Sequence, residues 1–241
     1  MALPKIDAPV YELELPLSKK QIRFRPFLVK EQRNLMMAME SDDKDTIEKN
    51  IRQVLHNCIL TENVDVDKLP ILDVEYLFLQ LRARSVGEVV ENKYRCENLV
   101  EDKTCGHLME SKLNILDIKV EMPENQTDVI VLSPKLSIKM NYPEFSILSN
   151  STKLSSATDL AFEMIINSIE YIFDGEQYYY AKESSKEELT EFVESLNQQQ
   201  FVKIENFFNN LPKLNKTIEL DCGKCGFHHK LEVEGLDSFF G

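Results

Sequence analysis

The residues in this sequence best equipped for chemistry are cysteines. Cys222 and Cys225 form a Cys-x-x-Cys inside "DCGKCGFHHKLEVEG" (221–235), and Gly226 follows the second thiol directly. Farther back, Cys96 and Cys105 form a looser Cys-x8-Cys, again followed by a glycine, Gly106. A structural zinc ion takes four thiolate or imidazole ligands in a tetrahedron, commonly from two tight turns. A glycine just past the second ligand gives the backbone freedom to reverse there. Cys96, Cys105, Cys222 and Cys225 are therefore expected to bind one structural Zn²⁺, with "ENLVEDKT" looping out between the first two. Four thiolates leave no open position for water, which points to fastening and away from zinc hydrolysis. His107, His228 and His229 flank the turns and are read as surface histidines in preference to substitute ligands.

Other uses of these thiols fit less well. A redox Cys-x-x-Cys opens a helix after a strand in a βαβ pattern, whereas here the strand-like "HHKLEVEG" follows at once. The fifth cysteine, Cys58, falls on the apolar face of a predicted helix and is expected to be buried and inert. The chain's seven glycines make no GxGxxG or GxxxxGK loop, and neither H-E-x-x-H nor G-x-S-x-G occurs. No catalytic residue is expected.

Elements must bring the distant cysteine pairs together, and the sequence predicts them. "NKYRC…TCGHLMESKL" and "TIELDCGKCGFHHKLEV" share one order: strand, Cys, Cys-Gly, strand. Residues 11–27 read as a β-hairpin, in which Glu12 and Glu14 would share a face with Arg23 and Arg25 and pair across the strands. Ile47, Ile51, Val54, Leu55, Cys58 and Ile59 make an apolar helical stripe over 44–60. Val74, Leu77, Phe78 and Leu81 make another over 71–86, widened by Tyr76 and Leu79, with Gly87 placed to stop it. "ESKLNILDIKVEM" and "DVIVLSPKLSIKMNY" are strand-like. Residues 149–159 read as a Ser/Thr-rich linker, followed by one helix carrying Phe162, Ile165, Ile166, Ile169, Ile172 and Phe173. "DGEQYYYA" reads as a turn into a short strand. Ser185 with Glu188 forms a capping-box signature, and a further helix ends at Pro212.

The fold class is thus α+β: an N-terminal β-hairpin, a helical core, and a discontinuous zinc-ribbon-like β element joining the middle to the C-terminus. The segments run 1–87 (hairpin and helices), 88–148 (β-rich, first Cys pair), 149–215 (helical) and 216–241 (Cys hairpin, packing with 88–120). They make one or two intertwined domains.

With 241 residues, 43% of them hydrophobic, the chain can bury a sizeable core. Its net charge of −13 repels phosphate. No signal-like start and no long apolar run is present, so an intracellularly made, soluble protein with reduced thiols is expected. One stretch is locally basic: Ser18 to Arg33 carries Lys19, Lys20, Arg23, Arg25, Lys30 and Arg33 against Glu31 alone. It reads first as a face balanced by Glu12 and Glu14. In the alternative, Arg23, Arg25, Lys30 and Arg33 form a docking surface for an acidic partner.

"IRFRPFLVKEQRNLMMAMES", "VEYLFLQLRARSVGEVV", "IFDGEQYYYAKESSKEELTEFVESL" and the closing Cys-x-x-Cys-Gly with "LEVEGLDSFF" are similar to the T-even-type bacteriophage baseplate hub assembly family, the gene twenty-six product and its relatives. The stretches span nearly the whole chain, from about residue 12 onward. The resemblance implies a structural or assembly protein of the contractile tail's baseplate hub, made late in the host cytoplasm. It implies other hub and tail proteins as partners and no catalysis. The acidic charge and the lack of an apolar run argue against nucleic-acid and membrane partners, and no small-molecule substrate is expected. A zinc-ribbon nucleic-acid or transcription-associated module is the alternative. Such a ribbon should carry a basic stripe, yet Arg82 to Lys112 holds six basic and six acidic residues.

Overall fold

The computed structural model describes residues 7–41, 43–124, 127–148 and 156–235. Among them are six α-helices and thirteen strands in small antiparallel sheets, an α+β fold. The chain forms two compact units, each discontinuous in sequence. One comprises 1–64, 72–121 and 213–241, the other 65–71 and 122–212.

The first unit opens with the hairpin of β1 (Tyr11–Glu14) and β2 (Gln21–Phe24). Glu12 lies opposite Arg23, 3.8 Å away as an ion pair. The second expected pair does not form. Glu14 lies opposite Gln21 and takes its amide, while Arg25, one residue past the strand, turns inward. The reason is Glu31, 2% exposed, which accepts from Arg25 at 2.9 Å and from the Leu28 N–H at 2.6 Å. Burial alone would raise the Glu31 pKa, and these donors outweigh it, holding the carboxyl below its ordinary value.

Glu31 sits in the first turn of α1 (Val29–Glu40), which packs on α2 (Lys44–Cys58). Asp43 caps α2 by accepting the Thr46 N–H. Only Val54, Leu55 and Cys58 of the expected α2 stripe are fully buried. Burial pushes the Cys58 thiol up to about 11, so it stays protonated and unreactive. α3 (Ile71–Val86) is central, burying Leu72, Val74, Leu77, Leu79 and Leu81. It also buries Asp73, whose two carboxylate oxygens accept the Leu17 and Ser18 N–H groups at 2.8 Å each and so anchor the hairpin turn. Gly87 stops the helix at a φ of +129°, a backbone position open to glycine.

Two ribbons complete this unit. β3 (Val89–Arg95) pairs with β6 (Leu108–Asn114), and between them lies the miniature hairpin of β4 (Leu99–Val100) and β5 (Lys103–Thr104). β7 (Lys119–Glu121), β12 (Lys213–Asp221) and β13 (His228–Glu234) form a three-stranded sheet with β12 in the middle. Leu113, Ile115, Leu214, Ile218 and Val233 meet Leu79 and Ala83 of α3 in one core.

In the second unit the sheet order is β11-β10-β9-β8: β8 is Val129–Ser133, β9 Leu136–Met140, β10 Ile169–Phe173 and β11 Tyr178–Tyr180. Helices α4 (Ala157–Ser168), α5 (Lys186–Glu194) and α6 (Gln198–Asn209) supply Ile165, Ile166, Leu189, Val193, Ile204 and Phe207 to its core. The expected long helix is a correction: it stops at Ser168, and Ile169, Ile172 and Phe173 belong to β10. A β-branched and aromatic "IEYIF" with a strand on each side gains a full ladder that a helix would forfeit. The expected linker also gives way, since Ser156 caps α4 by accepting the Asp159 N–H; its residues 149–155 lie outside the described residues. The Ser185–Glu188 capping box forms as expected.

Candidate metal centre

The two cysteine turns are built on one backbone pattern. In the first, the Cys96 N–H donates to the His107 carbonyl (2.8 Å), and the Gly106 N–H returns to the Cys96 carbonyl (3.0 Å). In the second, the Cys222 N–H donates to Phe227 (2.9 Å), and the Gly226 N–H returns to Cys222 (2.8 Å). Both glycines are left-handed, with φ of +65° and +71°. The first turn accommodates its longer insert by extruding it. β4 and β5 pair as a tiny hairpin whose two turn residues, Glu101 and Asp102, both have positive φ (+49° and +61°), the mark of a type I′ turn.

The ribbons bring the turns together. The Sγ atoms of Cys96, Cys105, Cys222 and Cys225 all lie within 4.8 Å of one another. Cys96 Sγ is 3.7 Å from Cys225 Sγ, and Cys105 Sγ is 3.8 Å from Cys222 Sγ. A disulfide needs about 2.05 Å. A tetrahedron with metal–sulfur bonds of about 2.3 Å has edges of about 3.8 Å, so the observed separations suit four sulfurs around one ion. Cys96 and Cys222 are buried, Cys105 and Cys225 partly so, and Met109 packs against them.

The surroundings treat the thiols unequally. The Phe227 N–H, followed by the Asn98 side-chain amide at 3.7 Å, draws Cys225 down to about 6. Burial pushes Cys96 up to about 12 against the opposing Asn98 N–H, so this thiol needs a cation to ionise. His229 completes the surroundings. It is buried, with Nε2 3.1 Å from Cys96 Sγ, and a proton on Nε2 would support the thiolate. This corrects the expectation of a surface histidine; His107 and His228 are exposed. The signal was in the strand alternation, because His229 shares a face of β13 with Leu231 and Val233.

The basic stretch divides. Arg25 is 18% exposed and held by Glu31, the Pro26 carbonyl and, at 3.6 Å, Cys58 Sγ, so it faces inward. Arg23 pairs with Glu12, Lys30 lies 3.7 Å from Glu31 with most of its side chain in solvent, and Arg33 is exposed.

Compared with known protein families, residues 8–241 match the model described as "T4 bacteriophage base plate protein". The chain belongs to that family. It is a phage base plate protein, and the match runs through both units and both cysteine turns. No curated protein matches the chain, and no solved structure does. Among the described residues of this base plate protein, no helix is long and apolar enough to cross a membrane.

Proposed function

We propose that this base plate protein acts in assembling the tail's central hub, through contacts with other hub and tail proteins and without catalysis. The observation that carries the reading is the family match over residues 8–241. The thiol cluster supports it: Cys96, Cys105, Cys222 and Cys225 would hold one structural Zn²⁺, tying the β3–β6 ribbon to the β12–β13 ribbon. The ion would supply four metal–sulfur bonds and no open coordination position. In small zinc domains such binding contributes about 10–16 kcal/mol to folding.

Contact surface is available on α1. Lys30 and Arg33 stand on one helix with Met36, Met37 and Met39, each of these methionines more than half exposed; Arg23, on β2, is exposed beside Glu12. Methionine's flexible side chain adapts to varied partners. The protein works in the infected cell during assembly, either as a transient factor or as a lasting part of the virion tail. Proteomics of purified tails and of tail-assembly intermediates tests the role. It should appear in one or both fractions; absence from both would contradict a part in baseplate building.

A further inference from the structure

The four-stranded sheet of the second unit has two unlike faces. Its inner positions, Ile130, Ile138 and Ile172, meet the core built by α4, α5 and α6. Register fixes what lies on the other face. Val129, Lys139, Tyr171 and Tyr180 form one cross-strand row, and Val131, Ser137, Phe173 and Tyr178 form the next. In a sheet with one solvated face those positions should be polar. Here six of the eight are apolar or aromatic; Val129, Val131, Tyr178 and Tyr180 are exposed, Val131 at 60% and Tyr178 at 54%, while Tyr171 and Phe173 are half-buried. The rings already form a platform. Tyr171 meets Tyr178 edge-on at 5.1 Å, Phe173 lies 4.6 Å from Tyr178, and Tyr180 lies 6.3 Å from Tyr178 with its plane nearly parallel.

Two features narrow the occupant. Strand addition at the β8 edge is obstructed, because Lys203 Nζ donates to the Val131 and Leu132 carbonyls. A second copy is disfavoured by the net charge of −13 and by size, since eight positions fall short of the roughly 20–30 residues a side of a stable pair. Three inter-strand gaps give a platform about 14 Å wide, enough for one helix about 10 Å across. Charge sets the sign of its flanks. Asp128 and Glu170 together hold the central Lys139 at 3.8 and 3.2 Å. Asp174 and Glu176 occupy the β10–β11 turn opposite Lys135, and Lys182 is paired with Glu183. With Lys203 at the β8 edge counted, acids around the face outnumber cations five to four.

We infer that the outer face of this sheet is a docking site for an amphipathic helix of a partner protein, with an apolar stripe on the Tyr/Val platform and basic flanks toward Asp128, Glu170 and Glu176. Tyrosine suits the role, giving rigid contact area with a polar tip. The inference rests on the assembly reading but is tested apart from it, with purified full-length protein.

The probe is a synthetic leucine–lysine amphipathic helix of about five turns, titrated by fluorescence anisotropy at physiological salt beside a leucine–glutamate helix of the same period. The lysine helix should bind and the glutamate helix should not. The double variant Val131→Ser/Tyr178→Ser, which keeps every charge, should weaken binding about tenfold or more. Val202→Ser, an exposed valine on α6, should leave binding unchanged, and circular dichroism should show all variants folded. Equal binding by the double variant would reduce the interaction to bulk charge and overturn the site. So would equal binding of both helices, or a dimer in sedimentation that the double variant abolishes. A negative result here leaves the tail proteomics intact, and absence from tails leaves the peptide result intact.

Discussion

The two cysteine turns differ by six residues in spacing and barely at all in backbone. Cys222 and Cys225 are separated by two residues, Cys96 and Cys105 by eight. Yet each turn joins its first cysteine to the residue after the glycine, and the glycine back to the first cysteine, within 2.8–3.0 Å. The difference is confined to a two-residue I′ hairpin that leaves the frame untouched. What a thiol tetrahedron demands is therefore the closing geometry of each turn, and ligand spacing is one route to it among several. The turns are also unequal in their support. Cys225 is lowered by local N–H donors, whereas Cys96, at the bottom of the cluster, depends on His229 and on whatever cation the four sulfurs share.

The largest test of this equivalence removes one ligand from each turn. Cys96→Ser and Cys222→Ser should each lose more than about 4 kcal/mol, read as loss of soluble folded protein. A stable variant of either would show that its turn closes without help. Next, Glu31→Gln perturbs a buried pair remote from both turns and should cost about 2–4 kcal/mol, reduced from the fully buried case because Arg25 reaches solvent. Its pH signature has a definite sign. A depressed folded pKa stabilises above the ordinary carboxylate pKa, and that contribution disappears as pH falls through the lowered value. Acid melts of the wild type should lose more stability than those of the variant, which keeps its other depressed carboxylates, such as Asp174 and Glu188. If instead both show the same acid dependence, the pair is not its source.

His229→Ala should cost about 1.5–3 kcal/mol, the range for a hydrogen bond to a charged group. His228→Ala, at an exposed neighbour, should cost little, and thermal melts that rank the two the other way would remove His229 from the centre. Replacing Glu101-Asp102 by Asn-Gly should stabilise by about 1 kcal/mol, since both positions are left-handed. Smallest of all is the insert itself. Substituting Gly-Lys for residues 97–104 gives the first turn the spacing of the second and should leave metal binding within about twofold. Loss of metal would show that the insert, through Asn98, is part of the site.

Much of this centre was legible in the sequence because its signals are local. A Cys-Gly turn framed by alternating strands announces its own geometry, and four such thiols in a chain otherwise poor in cysteine have few other roles. The hairpin, α2, α3, α5 and α6 follow from periodicity and caps for the same reason. What failed was decided at a distance. Ile169, Ile172 and Phe173 carry on the helical spacing of α4, and only the strands on either side of β10 reveal that they belong to a sheet. Arg25 matches the hairpin's charge pattern, but the buried carboxylate that claims it lies in the next helix. His229 could have been placed by its alternation with Leu231 and Val233, yet its partner, Cys96, is far away in sequence.

Whether four sulfurs from two ribbons share one ion is measured directly as metal content, by inductively coupled plasma mass spectrometry on folded, purified protein. One zinc per chain is expected, lost when any of Cys96, Cys105, Cys222 or Cys225 becomes serine. Folded, monodisperse protein carrying far less than one equivalent of any metal would contradict it.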